Sequence, residues 1–455
     1  MLISTALVAL MTPAVALFYG GMVSEDAAVS TVMLSFGAIG PVTLLWSLVG
    51  FSLSFAPNLK SGSMNPKIIG DLSYATLDSW DAQTTISYGG ATSISLHTFS
   101  LYQLMFAIIT SAIIAGAVAG RMKWIWFIAF TSLWHILIYC PLAHWVFFNP
   151  ADGNPDSAGW LSSYGVIDYA GGMVIHISSG VSAYVLAYLL GGHAVSHRAH
   201  NKMLVLLGAA LLWFGWFGFN AGSAMHANYA AGLALTNTQL AAAAAMLSWN
   251  LLEISFDGET FFNGFPTAIG TATGIVAGLV GITPSAGFVS PMWANFIGFF
   301  TALGVFFAPR LLKKYCRVND TLDCFAVHGI GGMIGSALTG LFANVSFNAT
   351  TNGANDAANG SFYRNARQLG IQCLGITVTV VFSAVGTAII FGALWLIAKL
   401  LKQTLSIPAN LAPDISQHGE KAYQSSTTKY VVETKAPETR VEIDSATSID
   451  ATTSA

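Results

Sequence analysis

Five ionisable residues lie within or beside long apolar stretches of the sequence, where a charge is costly and therefore marks a candidate functional site. They are Asp168, His176, Glu253, Asp323 and His328. Histidine gains and loses a proton near neutral pH, and a carboxylate can stabilise a cation or cap a helix. The pattern indicates a path through an apolar environment.

Asp168 and His176 are separated by eight residues, which corresponds to about 12 Å along a helix and a rotation of about 80°. They cannot form a direct hydrogen bond. If their helix begins near Val166, Asp168 lies at its outer mouth and His176 about 15 Å deeper, near the bilayer midplane. Asp168 can therefore cap the helix, serve the path, or do both.

His176 and His328 each lie beside a Gly-Gly-Met sequence. A single buried histidine more often belongs to the packed core, but this shared context favours a paired role. The expected helix boundaries place His328 near the inner end of its helix. Either that helix begins earlier, or the two histidines differ in depth.

Aromatic side chains could complete such a path, because a cation binds over an aromatic face without full charge pairing. The candidates are Phe106, Phe147, Trp216 and Phe219. For any one of them, packing in the core or contact with lipid is the commoner role.

The elements that must position these residues are transmembrane helices. Only 9% of the 455 residues are charged, against about 25% in soluble proteins, and the mean hydropathy is +0.62. The net charge of −3 does not indicate a nucleic-acid partner. The four cysteines show neither metal-ligand spacing nor a disulfide framework, and are expected to be buried apolar residues.

About eleven apolar runs are long enough to cross a bilayer. They lie near residues 2–23, 30–56, 98–119, 124–147, 166–191, 203–222, 237–256, 264–284, 288–311, 325–344 and 368–399. The matching histidine contexts in helices 5 and 10 favour a five-plus-five inverted repeat plus one helix. We predict an all-α membrane domain over residues 1–404 and a cytoplasmic, largely disordered tail over residues 405–455.

Small residues spaced four apart occur in three of these runs, at Gly116, Gly270 and Gly331 among others. Such spacing lets helix backbones approach closely. We expect these glycines to serve helix packing.

The distribution of Lys and Arg predicts the orientation, since cytoplasmic loops are enriched in both. With the N-terminus outside, ten basic residues near helix ends are cytoplasmic and four are external. The cytoplasmic ones are Arg121, Lys123, Arg198, Lys202, Arg310, Lys313, Lys314, Arg317, Lys399 and Lys402. The acidic turn after helix 1 favours the opposite orientation only weakly.

Several motifs together resemble the ammonium transporter (Amt/Mep/Rh) family, in the order in which that family carries them. They are Leu17–Met22 (LFYGGM), Asp168–His176 (DYAGGMVIH), Trp216–Ser223 (WFGFNAGS) and Val327–Gly332 (VHGIGG), with shorter matches at Pro141–Trp145, Phe265–Ala268 and Ile282–Val289. The likeness covers about residues 1 to 400.

This resemblance implies the ammonium transporter fold, a homotrimer in the cell membrane with one pore per protomer, and an N-terminus outside. Phe106, Phe147 and Ser223 would form an outer ammonium site supported by Asp168. Phe106 and Phe219 would be a stacked gate, with Trp216, Gln103 and Thr283 beside the path. His176 and His328 would be the paired histidines of an apolar pore.

The implied activity is transport of ammonium, neither an enzymatic reaction nor one that needs a cofactor. Ammonium would lose its proton at the outer site and cross as ammonia, while the proton follows a linked polar route. Net transport would then carry charge.

Two further features bear on the resemblance. Phe147 stands where bacterial relatives usually have Trp, which predicts a weaker outer site because the indole donor is lost. The tail segment Gln417–Tyr423 (QHGEKAY) resembles a family element that couples protomers and lies near the docking site of PII signal proteins. PII binding is therefore a candidate interaction.

Four other functions are alternatives to ammonium transport. An ion channel of another class would need a filter or a sensor helix that the sequence lacks. An intramembrane protease using Ser223 would need a nucleophile elbow and a placed base, and neither is evident. A Rh-like neutral gas channel and an ammonium sensor remain open, because only flux and current measurements separate them from a transporter.

Overall fold

The computed structural model describes residues 1–57, 67–78, 80, 84–86, 94–149, 158–191, 199–258, 262–347 and 359–423. Within these ranges the chain is mostly helical. One short hairpin, β1 (Thr85–Ile86) paired antiparallel with β2 (Ile94–Ser95), precedes the third long helix.

Eleven apolar helices form the bundle, and among the described residues ten of them are long enough to cross a bilayer. They are α1 (Leu2–Met22), α2 (Glu25–Phe55), α3 (Leu96–Val118), α4 (Trp124–Phe147), α5 (Gly172–Leu190), α6 (Lys202–Gly222), α7 (Tyr229–Phe256), α8 (Ala268–Ile282), α9 (Pro291–Tyr315), α10 (Phe325–Phe342) and α11 (Ala366–Leu400). The shorter member is α8, with 15 residues. The predicted all-α membrane fold with about eleven helices is confirmed.

The largest differences from the predicted helix starts are at α5 and α7, where polar side chains satisfy backbone groups. Residues 166–171 precede α5 as non-helical chain, held by Gln372, which both donates to and accepts from the backbone of Ile167. Helix α7 begins at Tyr229, earlier than expected, because the side chain of Asn228 accepts from the Ala231 amide. Hydropathy alone does not detect either arrangement.

Glycines allow the central helices to cross in close contact. A Cβ at Gly208 on α6 would overlap the backbone of Phe18 on α1, and a Cβ at Gly180 on α5 would overlap the backbone of Gly329 on α10. Helices α1 and α6, like α5 and α10, hold equivalent places in two successive groups of five. The α6 glycine was not among the spaced motifs noted in the sequence.

The chain after α11 returns to the bundle. Its short helix α12 (Pro413–His418) places the buried Asp414 carboxylate on the amides of Val29 and Ser30, at 3.1 and 2.7 Å. Farther on, the Tyr423 hydroxyl lies 3.1 Å from His200 Nε2. Residues 405–423 of the predicted tail are therefore docked on the bundle, and residues 424–455 lie outside the described residues.

Candidate functional site

Two phenylalanine rings face each other between α3 and α6. The ring centroids of Phe106 and Phe219 are 4.3 Å apart, with an interplanar angle of 26°. Both side chains are buried. Rings at this separation are in van der Waals contact and leave no passage between them.

Ser223 directly follows α6 and is partly exposed. Its Oγ donates a hydrogen bond to the Phe219 carbonyl at 2.9 Å. A serine hydroxyl has one proton and two lone pairs. With the proton used on the protein, the oxygen is available as an acceptor.

The two predicted histidines are in direct contact. His176 Nδ1 lies 3.2 Å from His328 Nδ1, and the ring centroids are 5.3 Å apart. A hydrogen bond between two Nδ1 atoms requires that one carries a proton and the other does not. His176 Nε2 has no hydrogen-bond partner among the described residues.

This contact settles the question of depth that the sequence left open. His176 lies in the first turns of α5 and His328 in the first turns of α10, and both segments, Gly172–Ile177 and Phe325–Ile330, are π-helical. The close crossing of α5 and α10 brings the two segments together. The histidines therefore share one level, although α10 begins where predicted.

Trp216 packs against the His176 ring of this pair. Its ring stacks on His176 with centroids 5.3 Å apart and an interplanar angle of 16°. The indole Nε1 donates to Thr283 Oγ1 at 2.9 Å, and Thr283 donates to the Leu279 carbonyl at 2.7 Å. Thr283 thus orients Trp216 and has no proton left for a ligand.

Asp168 caps the start of α5. Its two carboxylate oxygens accept four backbone N–H bonds, from Gly171, Gly172, Met173 and Val174, at 2.5 to 3.2 Å. Carboxylates at a helix N-terminus are favoured by the helix dipole. The capping alternative therefore holds for Asp168, and this cap orients the segment that carries His176.

Gln103 and Phe147 are the remaining predicted site residues. Gln103 lies about one turn before Phe106 on α3 and is buried, and its Oε1 has no partner among the described residues. Phe147 is the last residue of α4 and is also buried. Gln103 shares its helix with Phe106, whereas Phe147 is the one predicted site residue on α4.

A narrow cavity lies beside the histidines. Its walls are apolar except for His176 and His328, and include Trp216, Phe219 and Phe18. A second, larger cavity of about 510 Å³ is also lined by Phe18, together with Glu253 and Asp323. Phe18 therefore lines both cavities, and in the sequence it stood out only as part of the Leu17–Met22 motif.

Glu253 and Asp323 lie in this larger cavity and away from the histidines. Glu253 accepts the amide and the hydroxyl of Thr267, each at 2.8 Å. Asp323 pairs with Lys313 at 2.9 Å. Both carboxylates have protein partners.

Asp320, which the sequence did not single out, supports α10 from the loop before it. Its Oδ2 accepts the Phe325 amide at 2.7 Å, while its Oδ1 has no partner among the described residues. Burial, and secondarily the charge of Asp323, raise the pKa of Asp320 to about 7. The group that caps the helix of His328 can therefore change its charge near neutral pH.

In the part of the chain that the structure describes, no three His, Cys, Asp or Glu side chains are placed to hold a metal ion. The arrangement is instead the aromatic pair of Phe106 and Phe219 next to the two hydrogen-bonded imidazoles, which line an apolar cavity.

Comparison with known sequences identifies relatives of this arrangement. The model of the Ammonium Transporter Family matches residues 1–423. An ammonium transporter of Bacillus subtilis is 40% identical over 427 residues, which is 92% of this chain and 96% of the relative. One from Mycobacterium tuberculosis is 40% identical over 443 residues, covering 93% of this chain and 89% of the relative.

Solved structures show the same fold. Mep2 of Saccharomyces cerevisiae superposes with a TM-score of 0.79 at 32% identity, covering 94% of this chain and 91% of that one. A structure described as a sensor Amt protein gives a TM-score of 0.74 at 28% identity, covering 91% and 94% of the two chains.

Proposed function

This chain belongs to the Ammonium Transporter Family, and from that premise we propose that it conducts ammonium nitrogen past Phe106, Phe219, His176 and His328. The family is one of multi-pass membrane transporters and not of enzymes. What the proposal adds is the route and the form in which the nitrogen crosses.

Recruitment takes place at the outer mouth. The faces of Phe106 and Phe147 attract a cation through their π electrons. The oxygen of Ser223 accepts an N–H bond, because its own proton is donated to Phe219. Asp168 contributes through the field of its carboxylate and by holding the start of α5.

Passage requires loss of the proton. Carrying ammonium into an apolar cavity without its water is costly, whereas ammonia is neutral. The stacked rings of Phe106 and Phe219 must turn to admit it. Ammonia then passes the bonded pair of His176 and His328, beside Gln103, Trp216 and Thr283, while the proton follows a linked polar route.

One observation carries this proposal. The Nδ1 atoms of His176 and His328 lie 3.2 Å apart, inside a cavity whose other walls are apolar. Two imidazoles joined by one hydrogen bond can relay a proton when one proton enters at a ring nitrogen of one histidine and another leaves from the second histidine.

The same premise extends to placement and assembly. We propose a homotrimer in the plasma membrane, with the N-terminus outside and the C-terminus in the cytoplasm. Residues 1–404 form the transport domain, and residues 405–455 a cytoplasmic tail whose segment near Tyr423 is a candidate contact for a PII-type signal protein. The ten basic residues near the cytoplasmic helix ends support this orientation.

A second candidate function is sensing of ammonium without conduction. The likeness to the sensor Amt protein favours this function. Sensing and transport both need a site that recruits ammonium, so the outer site fits either one. A Rh-like neutral gas channel is the third, and differs in moving no net charge.

Growth on limiting ammonium tests the proposal. A cell lacking its own ammonium transporters would carry the wild-type chain, His176→Ala, His328→Ala, or a control that removes the exposed His97. We expect wild type and His97→Ala to restore growth, and the two pore variants to fail.

Membrane abundance of each variant is measured alongside growth. Wild type that reaches the membrane but does not restore growth would overturn conduction and favour the sensor. Restoration by both pore variants would place the route elsewhere.

A further inference from the structure

A tyrosine not used in the proposed mechanism lies directly behind the outer serine. Tyr102, on α3, is fully buried, and its ring lies 4.8 Å from that of Phe106 in an edge-on orientation. Its hydroxyl is 2.9 Å from the Phe219 carbonyl, 3.0 Å from the Gly218 carbonyl and 3.4 Å from Ser223 Oγ. Tyr102 therefore ties α3 to the end of α6 that carries Ser223.

The backbone at the end of α6 explains why these contacts exist. In a continuing helix the Ser223 amide would bond to the Phe219 carbonyl. It bonds instead to the Asn220 carbonyl at 3.2 Å, which tightens the last turn. The Phe219 carbonyl is thereby left to side-chain donors, and it receives the hydroxyls of Ser223 and Tyr102, each at 2.9 Å.

Counting protons shows what this does to Ser223. Its one hydroxyl proton is donated to the Phe219 carbonyl. The Tyr102 hydroxyl proton is donated to the carbonyls of Gly218 and Phe219. The lone pairs of Ser223 Oγ are the groups left for a ligand. Ammonium offers four charged N–H donors to such an oxygen, whereas the three N–H groups of neutral ammonia are weaker donors and its lone pair would need a donor.

The position of the tyrosine hydroxyl is set by close packing. A Cβ at Gly222 would lie 2.6 Å from the Tyr102 oxygen and 2.7 Å from Ser4 Cβ. Helices α1, α3 and α6 therefore meet with no spare room at this point. Glycine at this position allows the hydroxyl to reach the carbonyls.

We propose that Tyr102 is a positioning residue of the outer site, holding the Phe219 carbonyl and the Ser223 hydroxyl so that Ser223 accepts a hydrogen bond from ammonium. A site arranged in this way favours cations that carry N–H groups, such as ammonium and methylammonium, over neutral ammonia. This inference rests on the proposed function, because it assigns a role within ammonium recruitment.

The test is a double-mutant cycle on the kinetics of methylammonium uptake, with Tyr102→Phe, Ser223→Ala and the double variant. Loss of one orienting hydrogen bond is expected to raise KM about fivefold. The maximal rate per molecule at the membrane should stay within about twofold, because only recruitment is affected. If Tyr102 acts through Ser223, the double variant should have the KM of Ser223→Ala alone.

Tyr139→Phe is the matched control. Tyr139 is also fully buried, and its hydroxyl has no hydrogen-bond partner among the described residues. The Tyr139→Phe variant should have the same KM as wild type. Gly222→Ala tests the same contact from α6, because the added methyl group would displace the Tyr102 hydroxyl. It should also raise KM, and it provides a test even if Tyr102→Phe does not reach the membrane.

An unchanged KM in Tyr102→Phe, or additive effects of the two single substitutions, would overturn the role of Tyr102 while leaving transport intact. A wild-type chain without saturable uptake would instead overturn the proposed function, and the role of Tyr102 with it. The two failures are distinguished by the wild-type measurement alone.

Discussion

At the scale of single residues, the strength of the outer site depends on which ring attracts the cation. Phe147 provides a π face without an N–H donor, and a tryptophan face binds cations more strongly. Phe147→Trp is therefore expected to lower the KM for ammonium about two- to fivefold, the equivalent of about 0.5–1 kcal/mol. Concentration dependence of methylammonium uptake measures this.

The same substitution at the exposed Phe362 serves as the control, and should leave KM unchanged. A Phe147→Trp variant with unchanged or higher KM would remove Phe147 from the recruiting site.

A second residue-scale prediction concerns Asp320, whose pKa burial raises to about 7. Its unfolded pKa is about 4, so the folded chain holds this proton more tightly than the unfolded chain. The stabilising contribution is fully present below about pH 4 and is lost as pH rises through about 7. Asp320→Asn cannot ionise, and its amide oxygen can still accept the Phe325 amide proton.

We therefore expect the melting temperature of the purified wild type to fall more steeply between about pH 5 and about pH 8 than that of Asp320→Asn. In Asp323→Asn the melting temperature should fall over a lower pH range than in wild type, because the charge of Asp323 contributes to the raised pKa of Asp320. Parallel melting curves of wild type and Asp320→Asn would contradict the assignment.

At the scale of elements, the site depends on how closely α5 and α10 cross. A methyl group at Gly180 would overlap the backbone of Gly329, one residue after His328. Gly180→Ala should separate the two helices, lower stability by about 1–3 kcal/mol and reduce uptake at least tenfold. Thermal unfolding and methylammonium uptake report the two effects.

Gly392→Ala, on α11, is the matched change, since a Cβ there would meet nothing within 4 Å. It should leave uptake unchanged and hold or raise stability, because alanine is favoured over glycine in a helix. Equal losses in both variants would mean that the α5 and α10 crossing has no special role.

At the scale of the whole molecule, the separate fates of ammonia and proton decide whether transport carries charge. If the proton follows through the same protein, ammonium added to one side of proteoliposomes should evoke a saturable current. His176→Ala should reduce it, because the paired histidines are part of the route. Ammonia flux without current in the wild type would favour the neutral gas channel.

Much of this architecture is encoded locally and could be predicted from the sequence. The apolar runs gave the membrane class and about eleven helices, because burying a run of about twenty residues in lipid needs no partner from elsewhere in the chain. The residue types alone singled out His176 and His328, since ionisable groups in apolar runs are costly.

Other features depend on contacts between residues far apart in the chain, and only the tertiary structure decided them. The equal depth of His176 and His328 follows from the crossing of α5 and α10, and their contact joins residues 152 positions apart. The contact of Tyr102 with Ser223 spans 121 positions and depends on a tightened last turn of α6. Spacing along one helix carries no information about such contacts, because packing between helices sets them.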